Sequence, residues 1–541
     1  MLAFMSFNFN DREAVLLAVL SGLLLTAAFP PGDMGWMAWF ALVPLLVAVD
    51  RTSPSKAFRL GFVAGMAHYL TLVYWVVVAM SHYGGLNYLV SGSVMVLLCL
   101  YLSLYPGLFS CFYVFLKKGR LGVIQAACIW VLLEYARGRF LTGFPWCLLG
   151  YSQYDFVELI QVTDLVGVYG VSFLIVAVNA FIQGMLFRGS RSRRITLKRD
   201  FPLLLFIALL VLLYGHYRLF QGYPADDGGP SLKFAVVQGN IDQSVKWDRD
   251  YQEKTMDIYA RLSHSAASYG PDILVWPETS LPFFFQEDQD LSKVVFEVSG
   301  ALNSDMIFGS PAYEREGKEV RYYNRVYYLP REGKILHYDK VHLVPFGEYV
   351  PLKKFLPFVN RLVPAAGDFT PGRSIEPFRA TLASPGILIC FEAIFPEIAR
   401  EHVANGADIL VNLTNDAWFG RTSAPFQHLA MAAFRAVENG RPLVRAANTG
   451  ISAFIDARGR IYAKSRLFQE AVLLAEVKRS GHGRTFYNRY GDIFVLLTLV
   501  SILISLLEVL WYNKNFGSKG PALGDPRKGL EPVRTDDMEE P

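Results

Sequence analysis

Three residues of different reactive type stand where short apolar runs end in the second half of this sequence: Glu278 in ILVWPETS, Lys340 in YDKVHLVPFGE and Cys390 in GILICFE. Carboxylate, ammonium and thiol together are a set suited to acyl transfer. A thiol with a free pKa of about 8.5 is mostly protonated at neutral pH and needs activation. A carboxylate can take its proton and return it to a leaving group. An ammonium can hold an oxyanion and lower the thiol's pKa, helped by the backbone N–H of Phe391, which a strand–turn–helix around Cys390 would point at the reacting carbonyl. Each residue also has a plainer reading: Glu278 as a helix N-cap, Lys340 as a solvated lysine, Cys390 as a small core residue. Four of the five cysteines lie in the apolar N-terminal part, so Cys390 has no disulfide partner in its own region and is either inert or working.

The elements that must position these groups fall into two classes. Hydrophobic residues make up 52% of the 541 and charged residues only 18%, with the apolar excess in the first 220 or so positions and near the end. A net charge of +4 gives no case for nucleic acid. Apolar stretches near 12–30, 34–50, 58–80, 88–116, 121–136, 165–187, 201–219 and 491–512 predict eight membrane helices, apolar on all faces and repeated in series. No small-residue cleavage site follows the first, so it reads as a span and not a signal peptide. Basic residues gather in alternate loops: Arg51, Lys56 and Arg59; Lys117, Lys118 and Arg120; Arg188 to Arg199. That asymmetry predicts cytoplasmic termini and places residues 220–490 outside, with His216 and Arg218 snorkelling at the outer end of the seventh span. Few charges fall within the spans; Glu134, near an end, is one.

Beyond a Pro/Gly/Asp linker at 221–230 the pattern changes. LKFAVVQGN, ILVWPETS, MIFGSPA, RVYYLP, GILICFE and ADILVNLTND read as buried strands, alternating with helical patterns such as DYQEKTMDIYARLSHSA and FQHLAMAAFRAVENGR. Strands alternating with helices predict an α/β domain.

WPE, DK followed by VPFGE, and CFE with FPE behind it resemble the nitrilase, or carbon–nitrogen hydrolase, superfamily and its Glu–Lys–Cys triad; Gln238 in the opening strand and NLTNDAWFG fit as well. With the membrane segments LTGFPWCLLGYSQ and DLVGVYGVSFLIVAVNA, and QSVKWD with its Trp247, nearly the whole chain resembles the apolipoprotein N-acyltransferase family. The resemblance implies helices 1–7 within 1–220, an α-β-β-α nitrilase-like domain at 231–484, an eighth helix at 490–512 and a polar cytoplasmic tail at 513–541. It implies an inner-membrane enzyme with its catalytic domain on the periplasmic side, expected as a monomer. Its reaction would move an acyl chain from a phospholipid to the amine of an S-diacylglyceryl-cysteine lipoprotein through a thioester on Cys390. Glu348 and Glu392 are expected as supporting carboxylates, with a structural salt bridge as the competing role for Glu392. Trp247 and Trp418 are expected either to line a substrate path or simply to pack. The segment 348–364, with Phe355, Leu356 and Phe358 beside Lys353 and Lys354, reads as an interfacial lid or an ordinary surface loop. No cofactor or metal is implied, since no H-E-x-x-H or close His/Asp cluster is present. Two other classes remain to be weighed: a membrane-tethered amidase, and a transporter or scaffold carrying a degenerate domain.

Overall fold

The computed structural model describes residues 10–116, 122–187, 196–221, 231–349, 369–481 and 483–516. The linker at 222–230, most of the 348–364 segment, the basic stretches 117–120 and 188–194 and the tail from 517 lie outside these residues.

The apolar sequence forms helices α1 (Asp11–Ala27), α2 (Pro54–Leu72), α3 (Tyr88–Leu116), α4 (Gly122–Arg137), α5 (Thr163–Leu186) and α6 (Phe201–Phe220). Asn10 and Glu13 close a reciprocal capping box on α1, and Ser53 caps α2 ahead of Pro54. Among the described residues, four helices are long and apolar enough to cross a membrane: Tyr88–Leu116, Thr163–Leu186, Leu197–Phe220 and Ile493–Trp511. A fifth arises if Pro54–Leu72 and Trp75–Tyr83, bent by 47°, count as one span. The expected eight are therefore not established. The segments α1 and α4 are helical but short, and Gly35–Val49 is broken into pieces, with Pro44 opening the last of them. Arg218 does not simply snorkel: its guanidinium pairs with Asp164 on α5 at 2.8 Å.

The polar part holds two mixed sheets. In the first, β1 (Leu232–Gln238), β2 (Ile273–Val275) and β3 (Asp305–Glu316) run parallel. Antiparallel β4 (Glu319–Leu329) and β5 (Leu336–Asp339) extend it on one side, and β11 (Ala471–Val477) flanks β1 on the other. In the second, β6 (Pro385–Ile389), β7 (Ile409–Thr414) and β8 (Leu443–Ala447) run parallel, followed by antiparallel β9 (Ala453–Ile455) and β10 (Ile461–Lys464).

The two-residue period of a strand then sorts side chains into layers. Phe234 and Val236 point between the sheets, against Ile387, Ile389 and Val411. Ala235 and Val237 point outward, under α7 (Arg249–His264) and α8 (Gln289–Leu302). On the far side, α9 (Pro396–Ala404) and α10 (Ala424–Asn439) cover the second sheet, completing an α-β-β-α sandwich. That outer layer is itself covered: Leu429, Phe434 and Val437 of α10 share one core with Phe29, Tyr69, Trp75, Trp146 and Tyr151 of the membrane part. Trp146 donates to the Gln427 side-chain oxygen at 2.7 Å, and Arg435 to the Tyr151 hydroxyl at 2.7 Å. The sandwich is thus seated on the apolar helices through α10, and α11 (Ile493–Phe516) returns beside them.

Candidate active site

Glu278 follows β2, Lys340 follows β5 directly and Cys390 follows β6 directly, and the fold brings the three together. Glu278 and Lys340 belong to the first sheet and Cys390 to the second, so the site lies across the mouth of the sandwich. Gly309 permits this at β3: a Cβ there would sit 2.5 Å from the Thr279 nitrogen and 2.9 Å from Glu278 Cα. The helix after Glu278 begins at Gln289 with Asp288 as its cap, so the N-cap reading of Glu278 fails.

Lys340 is only 1% exposed, which removes its reading as a solvated lysine. Its Nζ donates to Glu348 Oε1 at 2.9 Å and lies 3.5 Å from Glu278 Oε1. Burial works against the ammonium, but Glu348, Glu278 and Cys390 outweigh it and hold its pKa above the ordinary lysine value. Glu278 is anchored from both sides: Oε1 accepts from Asn324 Nδ2 at 2.8 Å and Oε2 from the Asn415 N–H at 2.8 Å. Asn324 also donates to Glu348 Oε1 at 2.8 Å, so one amide holds both carboxylates around the cation. Glu348 therefore orients Lys340 and shares a partner with Glu278.

Cys390 is buried and sits at φ 50°, the left-handed region that costs a non-glycine residue roughly 1–2 kcal/mol. Thr279, next to Glu278, is also left-handed at φ 45°. Burial raises the Cys390 thiol well above its usual value and Glu278 adds to this, while Lys340 and a hydrogen bond with Thr414 oppose it. A thiol so held would need a partner to remove its proton before it could attack.

Glu392 makes no salt bridge among the described residues. It is fully buried and accepts from the Ile389 N–H at 2.7 Å, the Val341 N–H at 2.7 Å, the His342 N–H at 3.2 Å and the Tyr338 hydroxyl at 3.2 Å. It ties the residue before Cys390 to the two after Lys340. Burial pushes its carboxyl up to about 7, against the Ile389 N–H and the charge of Lys340. A folded-state value above the unfolded one means the folded state keeps a proton that the unfolded chain has lost. That stabilisation is full below the unfolded value of about 4.3 and disappears as pH rises through about 7. Glu392→Gln is expected to remove this component: its melting temperature should fall less than the wild type's as pH rises from about 5 to 8. Scanning fluorimetry in detergent checks this, and parallel curves would refute it.

Trp247 is 51% exposed and borders a cavity of about 760 Å³ with Phe283, Phe284, Tyr322, Phe369 and Arg249, so it does not merely pack. The cavity wall adjoins the residues that hold Glu278 and Lys340: the Phe369 N–H donates to the Glu348 carbonyl at 3.1 Å, and Tyr322 lies two residues before Asn324 on β4. Trp418 is half-buried and meets Tyr83 edge-on at 6.2 Å, joining the site to the bent helix Trp75–Tyr83. Phe391 is buried against Phe395 at 5.2 Å.

The structure adds residues that the sequence did not single out. Asn324 and Asn415 hold Glu278. Lys246, beside Trp247, is buried and donates to Thr279 Oγ1 at 2.8 Å; burial pulls its pKa down to about 7, against Glu278. Beneath Cys390, Asp416 pairs with Arg445 at 2.7 Å and lies 3.1 Å from His428. Only the segments NLTNDAWFG and QSVKWD signalled Asn415, Asp416 and Lys246, and nothing local marked Asn324. The fold also brings Glu314 of β3 beside His337 and Asp339 of β5. Arg325 already donates to the two carboxylates at 2.7 and 2.6 Å.

The model of the apolipoprotein N-acyltransferase N-terminal domain matches residues 21–181, and that of carbon-nitrogen hydrolase residues 233–486. An apolipoprotein N-acyltransferase of Geobacter metallireducens is 47% identical over 498 residues, covering 90% of this chain and 94% of that protein. Those of Haemophilus influenzae and Haemophilus ducreyi are 33% and 31% identical, over 94% and 93% of this chain and 97% and 98% of their own lengths. A membrane-helical part and a carbon–nitrogen hydrolase sandwich, in that order and matched over nine-tenths of its length, place this chain as an enzyme in the apolipoprotein N-acyltransferase family.

Proposed function

We propose that the enzyme transfers an acyl chain from a phospholipid to the N-terminal amine of an S-diacylglyceryl-cysteine lipoprotein, through a thioester on Cys390. The observation that carries this reading is the meeting of Glu278, Lys340 and Cys390 at three strand ends, with Lys340 buried between two carboxylates. In the first half, Cys390 Sγ bonds to the ester carbonyl carbon while its proton passes to Glu278. The charge on the carbonyl oxygen is met by Lys340 and the Phe391 N–H. The carbon–oxygen bond to glycerol then breaks, Glu278 returns the proton to the departing oxygen, and a lysophospholipid leaves. In the second half, the lipoprotein amine attacks the thioester carbon and gives its proton to Glu278; the carbon–sulfur bond then breaks, the N-acylated product leaves, and Glu278 passes the proton to the departing sulfur, which restores the thiol.

The aromatic cavity beside Trp247 suits an acyl chain, with Arg249 at its border for a lipid phosphate. An enzyme whose substrates both carry acyl chains must meet them at a bilayer, which is what α10 seated on the membrane helices provides. The eight-span topology, the domain limits 1–220, 231–484, 490–512 and 513–541, the periplasmic placement of the sandwich in an inner membrane and a monomeric state belong to the same reading.

Mass spectrometry of the full chain incubated with phospholipid tests it. An acyl mass on the Cys390 peptide, released by hydroxylamine and absent in Cys390→Ala, is expected. A diacylglyceryl-peptide acceptor should then be N-acylated. Free fatty acid without N-acylated peptide would overturn transfer in favour of hydrolysis, and the lack of an acyl mass would overturn the thioester.

A further inference from the structure

The carbonyl oxygen of Cys390 lies 3.1 Å from His428 Nε2. A carbonyl only accepts, so Nε2 carries the proton and donates. Burial holds His428 below the ordinary histidine value and Arg445 pushes the same way, while Asp416 and the Cys390 carbonyl oppose them. Its Nδ1 lies 3.1 Å from Asp416 Oδ1 and 3.2 Å from Arg445 Nη2, and the same guanidinium grips Asp416 at 2.7 Å, while Asp416 accepts from Thr414 at 2.8 Å. His428, Asp416 and Arg445 are all fully buried, and Trp146 lies over the imidazole at 5.7 Å.

The peptide between Cys390 and Phe391 is a rigid trans plane in which C=O and N–H point in opposite directions. Fixing the Cys390 oxygen on one side therefore fixes the direction of the Phe391 N–H on the other. We infer that His428 is a positioning residue: by holding the Cys390 carbonyl, it aims the Phe391 N–H at the oxygen of the reacting carbonyl. This rests on the reading of Cys390 as the acylated thiol. It also gives the left-handed conformation of Cys390 a purpose, since the strain turns the peptide and the buried imidazole retains it. Because Trp146 packs on His428 and donates to neighbouring Gln427, the membrane part braces the same peptide.

The test follows acylation of the full-length chain in mixed micelles of dodecyl maltoside and dipalmitoyl phosphatidylethanolamine by time-resolved intact-protein mass spectrometry. His428→Leu is expected to slow the appearance of the acyl mass by about 10²-fold, the cost of a reacting group misplaced by roughly 1 Å. The phospholipid concentration at half-maximal rate should stay unchanged. His428→Gln, whose amide N–H reaches to a similar distance, should recover to within about tenfold of wild type, whereas the shorter His428→Asn should not. The inference is overturned if the folded fraction of His428→Leu acylates at the wild-type rate, or if Gln restores no more than Asn. Should His428→Leu not fold, the Gln and Asn pair decides alone. A wild-type chain that gains no acyl mass sinks the thioester reading itself, a result distinct from equal rates among acylating variants.

Discussion

Glu278→Gln is expected to slow acylation of Cys390 by about 10³-fold, within the 10²–10⁴ range of general base catalysis, and to slow transfer to the amine as well. The thiol is held protonated by burial, and Lys340 beside it is already protonated and cannot accept. Removing Glu278 therefore leaves the proton of Cys390 without a destination. The substitution also meets a local conflict. Glu278 accepts on both oxygens, from Asn324 and from the Asn415 N–H, and an amide can accept on only one. The time course of the acyl mass and the rate of peptide N-acylation measure the two halves separately. Rates within tenfold of wild type in both would exclude Glu278 as the base.

Lys340→Met is expected to act on stability and activity together. It strips the cation from between Glu278 and Glu348, which share one Asn324 amide in a buried site. Breaking a buried ion pair from one side costs roughly 3–5 kcal/mol, since the remaining charge has no partner. Losing an oxyanion donor costs a further 10²–10³ or so in rate. The two effects separate in a double variant. Adding Glu348→Gln to Lys340→Met removes the second carboxylate charge and should restore much of the stability, while the rate stays low. Thermal unfolding and acylation rate on the wild type, both singles and the double form a cycle that resolves the coupling. If the double variant regained activity, Lys340 would be a structural cation and not an oxyanion partner.

Much of the scaffold was legible because its signals are local. The strands β1, β6 and β7 and the helices α7 and α10 fall where their apolar periods put them. The hairpin of β3 and β4 runs further than its apolar runs suggested, since Glu314 to Glu316 pair across to Glu319 to Arg321 in a polar extension. The strands β5, β8, β9, β10 and β11 were not singled out. Some are very short, and β10 and β11 are half-exposed and carry weak patterns. The membrane part was legible as apolar helix but not as a count of spans. Composition reports that a segment is apolar, whereas the bend after Leu72 and the breaks between Gly35 and Val49 depend on what packs against them.

By itself the sequence determined the reactive types, their order and their place at strand ends, the division into apolar and polar parts, and the family likeness. Those properties reside in residues close together in the chain. Only the tertiary structure decided which polar groups are buried and what they face. Whether Lys340 is solvated or enclosed depends on Glu348 and on Glu278, 62 positions away, and whether Glu392 pairs with a cation or with backbone depends on the loop at 341–342. Asn324 and His428 carry no local mark of their own. Desolvation turns an ordinary side chain into an exacting one, and desolvation is a property of the closed fold.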